Sequence, residues 1–162
     1  MTTVLKIDIV SDVSCPWCII GYQALNQALS NLAPGIQADI TWQPFELNPQ
    51  MPKEGQEITE HITQKYGIKL ALFDMYFQKS GNPSDHQQLL SVVESIGLDV
   101  AEAKQILDSD KYTSDVRKQQ QFYQAAGVSS VPAVIVNDKH LISGGQPTEV
   151  FEQALKQIAD QG

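Results

Sequence analysis

The sequence predicts an α/β fold in which a strand–helix–strand unit and a strand–strand–helix unit are separated by a helical insertion. Three observations predict it. Strand-type apolar runs occur at residues 4–10, 36–42, 131–136 and 140–143. The stretches between them repeat apolar residues at three- and four-residue spacing. The chain's two cysteines, Cys15 and Cys18, fall where the first strand gives way to the first helix. With 162 residues and 42% hydrophobic content, the chain can bury one core. A single domain over 1–162 is expected, its halves at about 1–45 and 114–162 and the insertion at about 53–112.

In the first strand Leu5, Ile7 and Ile9 alternate with Lys6 and Asp8, polar residues unexpected in a strand buried on both faces. The helix expected at about 17–32 carries Ile20, Ala24 and Ala28 with Leu25, Leu29 and Leu32 as its stripe, and ends at Pro34-Gly35. Ile36, Ala38, Ile40 and Trp42 then alternate with polar residues, so strand, helix and strand form a right-handed βαβ unit. The segment from Pro44 to Pro52 contains three prolines and leaves the sheet as irregular chain.

Helix is expected over 57–66, 69–79, 83–96, 100–108 and 114–126. Ser84-x-x-Gln87 and Asp99-x-x-Glu102 are the candidate caps, and Gly97 and Gly127 the stops. Leu70, Phe73, Phe77, Leu89, Val93, Ile96, Ile106 and Leu107 read as core. After Gly127, residues 131–136 form a strand, Asn137-Asp138 a tight turn and 140–143 a return strand. Gly144-Gly145 breaks the pattern, and a last helix beginning near Pro147 puts Val150, Phe151, Ala154, Leu155 and Ile158 on one face.

Two cysteines with two residues between them lie about one helical turn apart and can close and reopen a small disulfide. The thiolate is the attacking species, and at a pKa of about 8.5 only a few per cent of a free thiol is ionised at neutral pH. Cys15 stands at the expected helix N-terminus, where free N–H groups and the macrodipole favour an anion. The dipole supplies about 0.3–1 kcal/mol, less than one pKa unit, so hydrogen bonds to sulfur must add to it. Pro16 suits the first helical turn, having no N–H to lose. The expectation is an exposed nucleophile at Cys15 and a resolving thiol at Cys18. Half of a zinc site is the alternative, with His61, His86 and His140 as the remaining ligand candidates; a pair of structural cysteines is another. No metal site is expected, and none of the three histidines is assigned a catalytic role.

A formal charge of −8 argues against a nucleic-acid partner, which needs clustered Lys and Arg. No run approaches a membrane span, and the opening residues do not read as a signal peptide. A cytoplasmic location is expected, where a CxxC pair is more often catalytic or metal-binding than a structural staple.

Cys15-Pro16-Trp17-Cys18 after the first strand and Val131-Pro132 opening the third make the chain resemble the thioredoxin fold, and the helical insertion resembles the DsbA branch. Together with Trp42-Gln43-Pro44-Phe45-Glu46-Leu47-Asn48-Pro49, Gly127-Val128-Ser129-Ser130 and Ser143-Gly144-Gly145-Gln146-Pro147, these motifs resemble the FrnE-like DsbA-family oxidoreductases. The resemblance implies thiol–disulfide exchange with Cys15 as nucleophile, Cys18 resolving, and Pro16 and Trp17 tuning the pair. Trp17 can also touch substrate. Val131-Pro132 would be a cis-proline loop that turns the Val131 backbone outwards to hold an extended substrate; a trans proline starting an edge strand is the alternative. No cofactor beyond the redox pair is implied. Partners would be protein or small-molecule disulfides and thiols, with glutathione or a dithiol protein as reductant. The family's insertion is longer, and the junction Tyr66-Gly67-Ile68-Lys69-Leu70 reads as abrupt. The carboxylate often buried behind such cysteines has Ile9 in its place, with Asp8 and Asp12 nearby.

Two other functions compete. Around Asp12-Val13 and Gly21-Tyr22 the chain also resembles kappa-class glutathione transferases and 2-hydroxychromene-2-carboxylate isomerases, which have serine where Cys15 stands. A non-catalytic peptide-binding module using Val131-Pro132 is the third reading.

Overall fold

The computed structural model describes residues 2–47 and 68–161. Strand β1 (Thr3–Ser11) pairs in parallel with β2 (Ile36–Pro44) from Thr3↔Ile36 to Ser11↔Pro44. On its other edge it runs antiparallel to β3 (Ala133–Val136), which pairs with β4 (His140–Ser143), giving the order β2-β1-β3-β4. The polar residues of β1 are thereby explained. Lys6 reaches out to Asp138 at 2.5 Å and to Asp8 at 3.3 Å, and the buried Asp8 accepts a hydrogen bond from Gln43 Nε2 at 2.6 Å. Asn137 and Asp138 turn the β3–β4 hairpin in left-handed conformations that short polar side chains tolerate. Asn137 also exchanges hydrogen bonds with the Lys6 backbone, so the turn is fastened to β1.

Helix α1 (Pro16–Asn31) crosses from β1 to β2 and packs on the last helix. Its buried stripe is Cys18, Gly21, Leu25, Ala28 and, just past the helix end, Leu32. The expected stripe through Ile20 is displaced: Ile20 is exposed, because the 3-4-3-4 spacing that faces the sheet begins at Cys18 itself. The second strand, expected to end at Gln43, runs one residue further, to Pro44.

Among the described residues, three α-helices lie between β2 and the second half of the fold: α2 (Lys69–Phe73), α3 (His86–Ser95) and α4 (Val100–Leu107). The helix expected at 57–66 lies outside the described residues. The helix expected over 69–79 changes pitch at Asp74–Gln78, a π-helical turn closed by Lys79 N–H to Asp74 C=O at 3.2 Å. Asp85, not Ser84, caps α3, accepting from the N–H groups of Gln87 and Gln88; a carboxylate there also meets the positive helix end. Asp99 caps α4 as expected. Leu72, Met75, Leu89, Val93, Ala103, Ile106 and Leu107 form a core of their own, which Val13 joins from the loop after β1. Leu70 and Ile96, expected in that core, are exposed. In α2 the inward positions are Lys69, Leu72 and Phe73, and after Ile96 the turn at Gly97 brings Leu98 back against the cluster.

Helix α5 (Thr113–Ala125) returns the chain to the sheet, with the Arg117 guanidinium paired to the buried Glu46 carboxylate beyond β2. It ends at Gly127, where Val128 N–H reaches Tyr123 C=O at 3.0 Å. Helix α6 (Thr148–Gln161) buries Phe151, Leu155 and Ile158; Val150, one residue round the helix from Phe151, is exposed rather than part of the inward face.

Candidate active site

The loop between β1 and α1 is held by one carboxylate. Asp12 is fully buried; its Oδ1 accepts from the N–H and the hydroxyl of Ser14 at 2.9 and 2.8 Å, and its Oδ2 accepts from Leu47 N–H at 2.9 Å. This fixes the three residues before Cys15 and joins them to the chain leaving β2. Cys15 is the N-cap residue of α1, extended at φ −89° and ψ 114°, and Pro16 opens the helix. No side chain caps α1, so the Cys15 sulfur takes a place at the helix N-terminus that an oxygen often holds. Cys18 N–H bonds back to Cys15 C=O at 3.1 Å, closing the turn that brings the thiols together. The two cysteines are unlinked in this structure.

Opposite Cys15 lies the Val131–Pro132 peptide, which is cis. Cys15 Sγ stands 3.8 Å from Val131 O, within reach for a thiol to donate. The carbonyl oxygen of Val131 therefore faces the sulfur, and Val131 is buried. Pro132 C=O accepts from Gly144 N–H at 2.8 Å, and β3 begins only at Ala133, in the interior of the sheet rather than at its edge. Gly21 lets α1 approach this loop: a Cβ there would stand 3.0 Å from Pro132 Cγ and 3.1 Å from Gly145 Cα.

Burial separates the two thiols less than expected. Cys15 is 4% exposed and Cys18 is wholly buried, so the predicted exposed nucleophile is itself buried, with its sulfur facing the proline loop. Trp17, 61% exposed, lies against Gly145, and Pro16 is exposed beside it. Burial pushes the Cys18 thiol far above the usual thiol range. Cys15 adds to that rise, while the Asp12 N–H and the charge of Lys69 oppose it.

Lys69 is the residue that sequence reasoning missed. It is fully buried at the start of α2, with Nζ 3.3 Å from Ser11 C=O, 6.0 Å from the Trp42 ring centre and 5.6 Å from that of Phe73. A lysine at a helix start reads as solvated, and nothing in the sequence marks it as covered. Ile9 is buried and apolar as its sequence implies, and the buried carboxylate Asp12 serves the loop. Among the described residues no three His, Cys, Asp or Glu side chains gather as metal ligands: His86 lies 3.9 Å from Asp108 in the insertion, His140 is in β4, and His61 is outside the described residues. No described helix is long and apolar enough to cross a membrane.

A β1–α1–β2 unit and a β3–β4–α6 unit sharing one sheet, with a helical insertion between them, constitute a thioredoxin fold of DsbA type. The model of the DSBA-like thioredoxin domain matches residues 6–72 and 59–156, and the chain belongs to that family. It is 25% identical to the uncharacterized protein YwbO of Bacillus subtilis, over 93% of this chain and 96% of that one. Their alignment runs over 197 residues, more than this chain has, so YwbO carries segments that are missing here. Among solved structures, a probable DsbA oxidoreductase from Streptomyces coelicolor, SCO1869, superposes with a TM-score of 0.84 at 21% identity, covering 98% of this chain and 91% of its own. DsbA of Pseudomonas aeruginosa gives 0.68 at 13% identity, covering 99% and 85%.

Proposed function

We propose that the protein is a thiol–disulfide oxidoreductase in which Cys15 exchanges with substrate and Cys18 resolves. The observation that carries this reading is the asymmetry of the pair. Cys15 stands at a helix N-terminus with its sulfur facing the Val131 carbonyl, whereas Cys18 lies one turn inside the helix, wholly buried and with its thiol pushed up by that burial. In the oxidising direction a substrate thiolate attacks Cys15 Sγ, the Cys15–Cys18 bond breaks, and Cys18 leaves with the electron pair and takes a proton. A second substrate thiolate then attacks the substrate sulfur of the mixed disulfide and releases Cys15. Two electrons pass from the substrate dithiol to the protein pair. The reverse sequence reduces a substrate disulfide, and glutathione or a dithiol protein resets the pair.

Pro16 and Trp17 tune the pair in this reading, and Trp17 also offers an exposed aromatic face on the same helical turn. Val131 and Pro132, opposite Cys15, hold the substrate backbone near it. A cytoplasmic setting belongs to the same proposal and is tested by cell fractionation. The chemical test is to expose the Cys18→Ala protein to cell lysate, with Cys15→Ala as control, and identify what becomes disulfide-linked. Adducts through Cys15 alone are expected. No adduct, together with a wild-type pair that does not equilibrate with glutathione, would sink the redox reading.

A further inference from the structure

Asp8, Ile135 and Leu141 stand opposite one another across β1, β3 and β4, so their side chains share one face of the sheet. Helix α5 packs chiefly on β2 and leaves the β4 end of that row bare. Leu141 is therefore 46% exposed, and Phe122 of α5 is exposed as well. Between them lies a cavity of about 180 Å³. That is room for a single ring, since an apolar cavity of about 150 Å³ holds benzene.

Phe122, Val128, Ile135 and Leu141 give the cavity apolar walls, but Asp8 and Tyr123 line it too, and both are more than nine-tenths buried. The Asp8 carboxylate accepts from Gln43 Nε2 at 2.6 Å and meets Lys6 Nζ at 3.3 Å, which leaves lone pairs for a further donor. Lys6 is half exposed and held closer to Asp138, at 2.5 Å, so it can stay there while another cation takes Asp8. The Tyr123 hydroxyl has no hydrogen-bond partner among the described residues, although a buried tyrosine usually finds one. Burial and the Asp8 charge keep its proton on, so it remains a neutral hydroxyl with free lone pairs. Asp138 and Lys139 also line the cavity, but both are exposed and solvent screens them.

We propose that this cavity binds a small organic cation, a primary ammonium on an apolar body of about one ring. The ammonium donates to the Asp8 carboxylate and to the Tyr123 hydroxyl oxygen, and the ring lies between Phe122, Ile135 and Leu141. A neutral ligand of that shape would leave the charge of the buried carboxylate unanswered. An anion would meet Asp8 and Asp138 as like charges. The formal charge of −8 on the whole chain favours a cation in the same sense. None of the lining residues belongs to the cysteine site, so the inference stands apart from the redox reading and its failure leaves that reading untouched.

The test titrates ¹⁵N-labelled protein at pH 6.5 with benzylamine, and follows the amide shifts by two-dimensional NMR. Benzyl alcohol and benzoate serve as comparison ligands of the same size. Benzylamine should shift the amides of Tyr123, Ile135 and Leu141 together and bind about tenfold more tightly than benzyl alcohol, because a charged donor makes the stronger bond. Benzoate should not bind. Tyr123→Phe keeps the ring and should weaken benzylamine about 2- to 10-fold, the worth of one hydrogen bond. Benzyl alcohol or benzoate binding as tightly as benzylamine overturns the choice of a cation. Shifts confined to other parts of the chain, no saturable shift, or unchanged affinity in folded Tyr123→Phe protein overturns the site itself.

Discussion

Replacing Gly21 by alanine sets two physical effects against each other. Inside a helix, alanine in place of glycine is favoured by about 0.5–1 kcal/mol through backbone entropy. The new Cβ, however, would stand 3.0 Å from Pro132 Cγ and 3.1 Å from Gly145 Cα, and neither atom belongs to a flexible chain end. Overpacking of this kind costs about 1–3 kcal/mol. The net expectation is a loss of roughly 1 kcal/mol, or a melting temperature lower by about 2–4 °C for a chain of this size. The reactive centre should suffer more than the fold does, because the strain falls on the loop whose Val131 carbonyl stands 3.8 Å from Cys15 Sγ. Calorimetry and the rate of Cys15 alkylation read the two effects on one sample. A melting temperature that rises, as helix propensity alone demands, together with an unchanged alkylation rate, would refute the close-packing argument.

Asp12→Ala removes the acceptor of two backbone N–H groups, and at about 1–3 kcal/mol for each buried donor left unpaired it should lower the urea midpoint far more than Asp12→Asn, which keeps an acceptor oxygen. At pH 6 to 7 a limiting amount of iodoacetamide should label Cys15 before Cys18, read by peptide mass mapping, because burial pushes the Cys18 thiol up; labelling of Cys18 first would reverse the assigned roles. Burial, and after it the Asp8 charge, pushes the Tyr123 hydroxyl up to about 12, so the folded state holds that proton more tightly than the unfolded chain. Stability should then be unaffected below pH 10 and fall as pH rises from 10 through about 12, and Tyr123→Phe should flatten that slope in urea titrations. Asp85→Ala removes the cap of α3 and should cost about 1 kcal/mol in the same assay, with no change in thiol exchange.

The parts of the site that belong to one stretch of chain were legible. Cys15-x-x-Cys18 after an apolar run places both thiols on the first turn of α1, and Asp99, Gly97 and Gly127 mark helix ends by local chemistry alone. Where two acceptors adjoin, as at Ser84 and Asp85, the pattern identifies a cap but not which residue serves. The inward face of a helix is harder, because periodicity fixes spacing while packing fixes phase. Ile20 and Val150 therefore fell to the solvent side, and Cys18 and Phe151 took the positions against the sheet. What could not be read are contacts made across long separations. Gly21 looks like an ordinary weak point in a helix until Pro132 and Gly145 are beside it. Lys69 looks like a solvated helix start until Trp42, Phe73 and the end of β1 close round it.

These long-range contacts share a direction: the insertion bears on the cysteine loop through several independent links. Val13 leaves the sheet core to join Leu72 and Val93, while the Trp42 ring meets Tyr22 of α1 in a tilted contact at 5.0 Å and Phe73 of α2 edge-on at 6.2 Å. Lys69 adds a charge to the same seam. The sheet half thus supplies the thiols and the proline loop, and the insertion adds Phe73 to the core that contains them and a buried cation at the end of β1. A buried lysine among these rings, bonded to the carbonyl of Ser11 one residue before the Asp12 that holds the cysteine loop, ties the start of α2 to that loop, so Lys69→Met should slow Cys15 alkylation or lower the urea midpoint, and no change in either would refute the coupling.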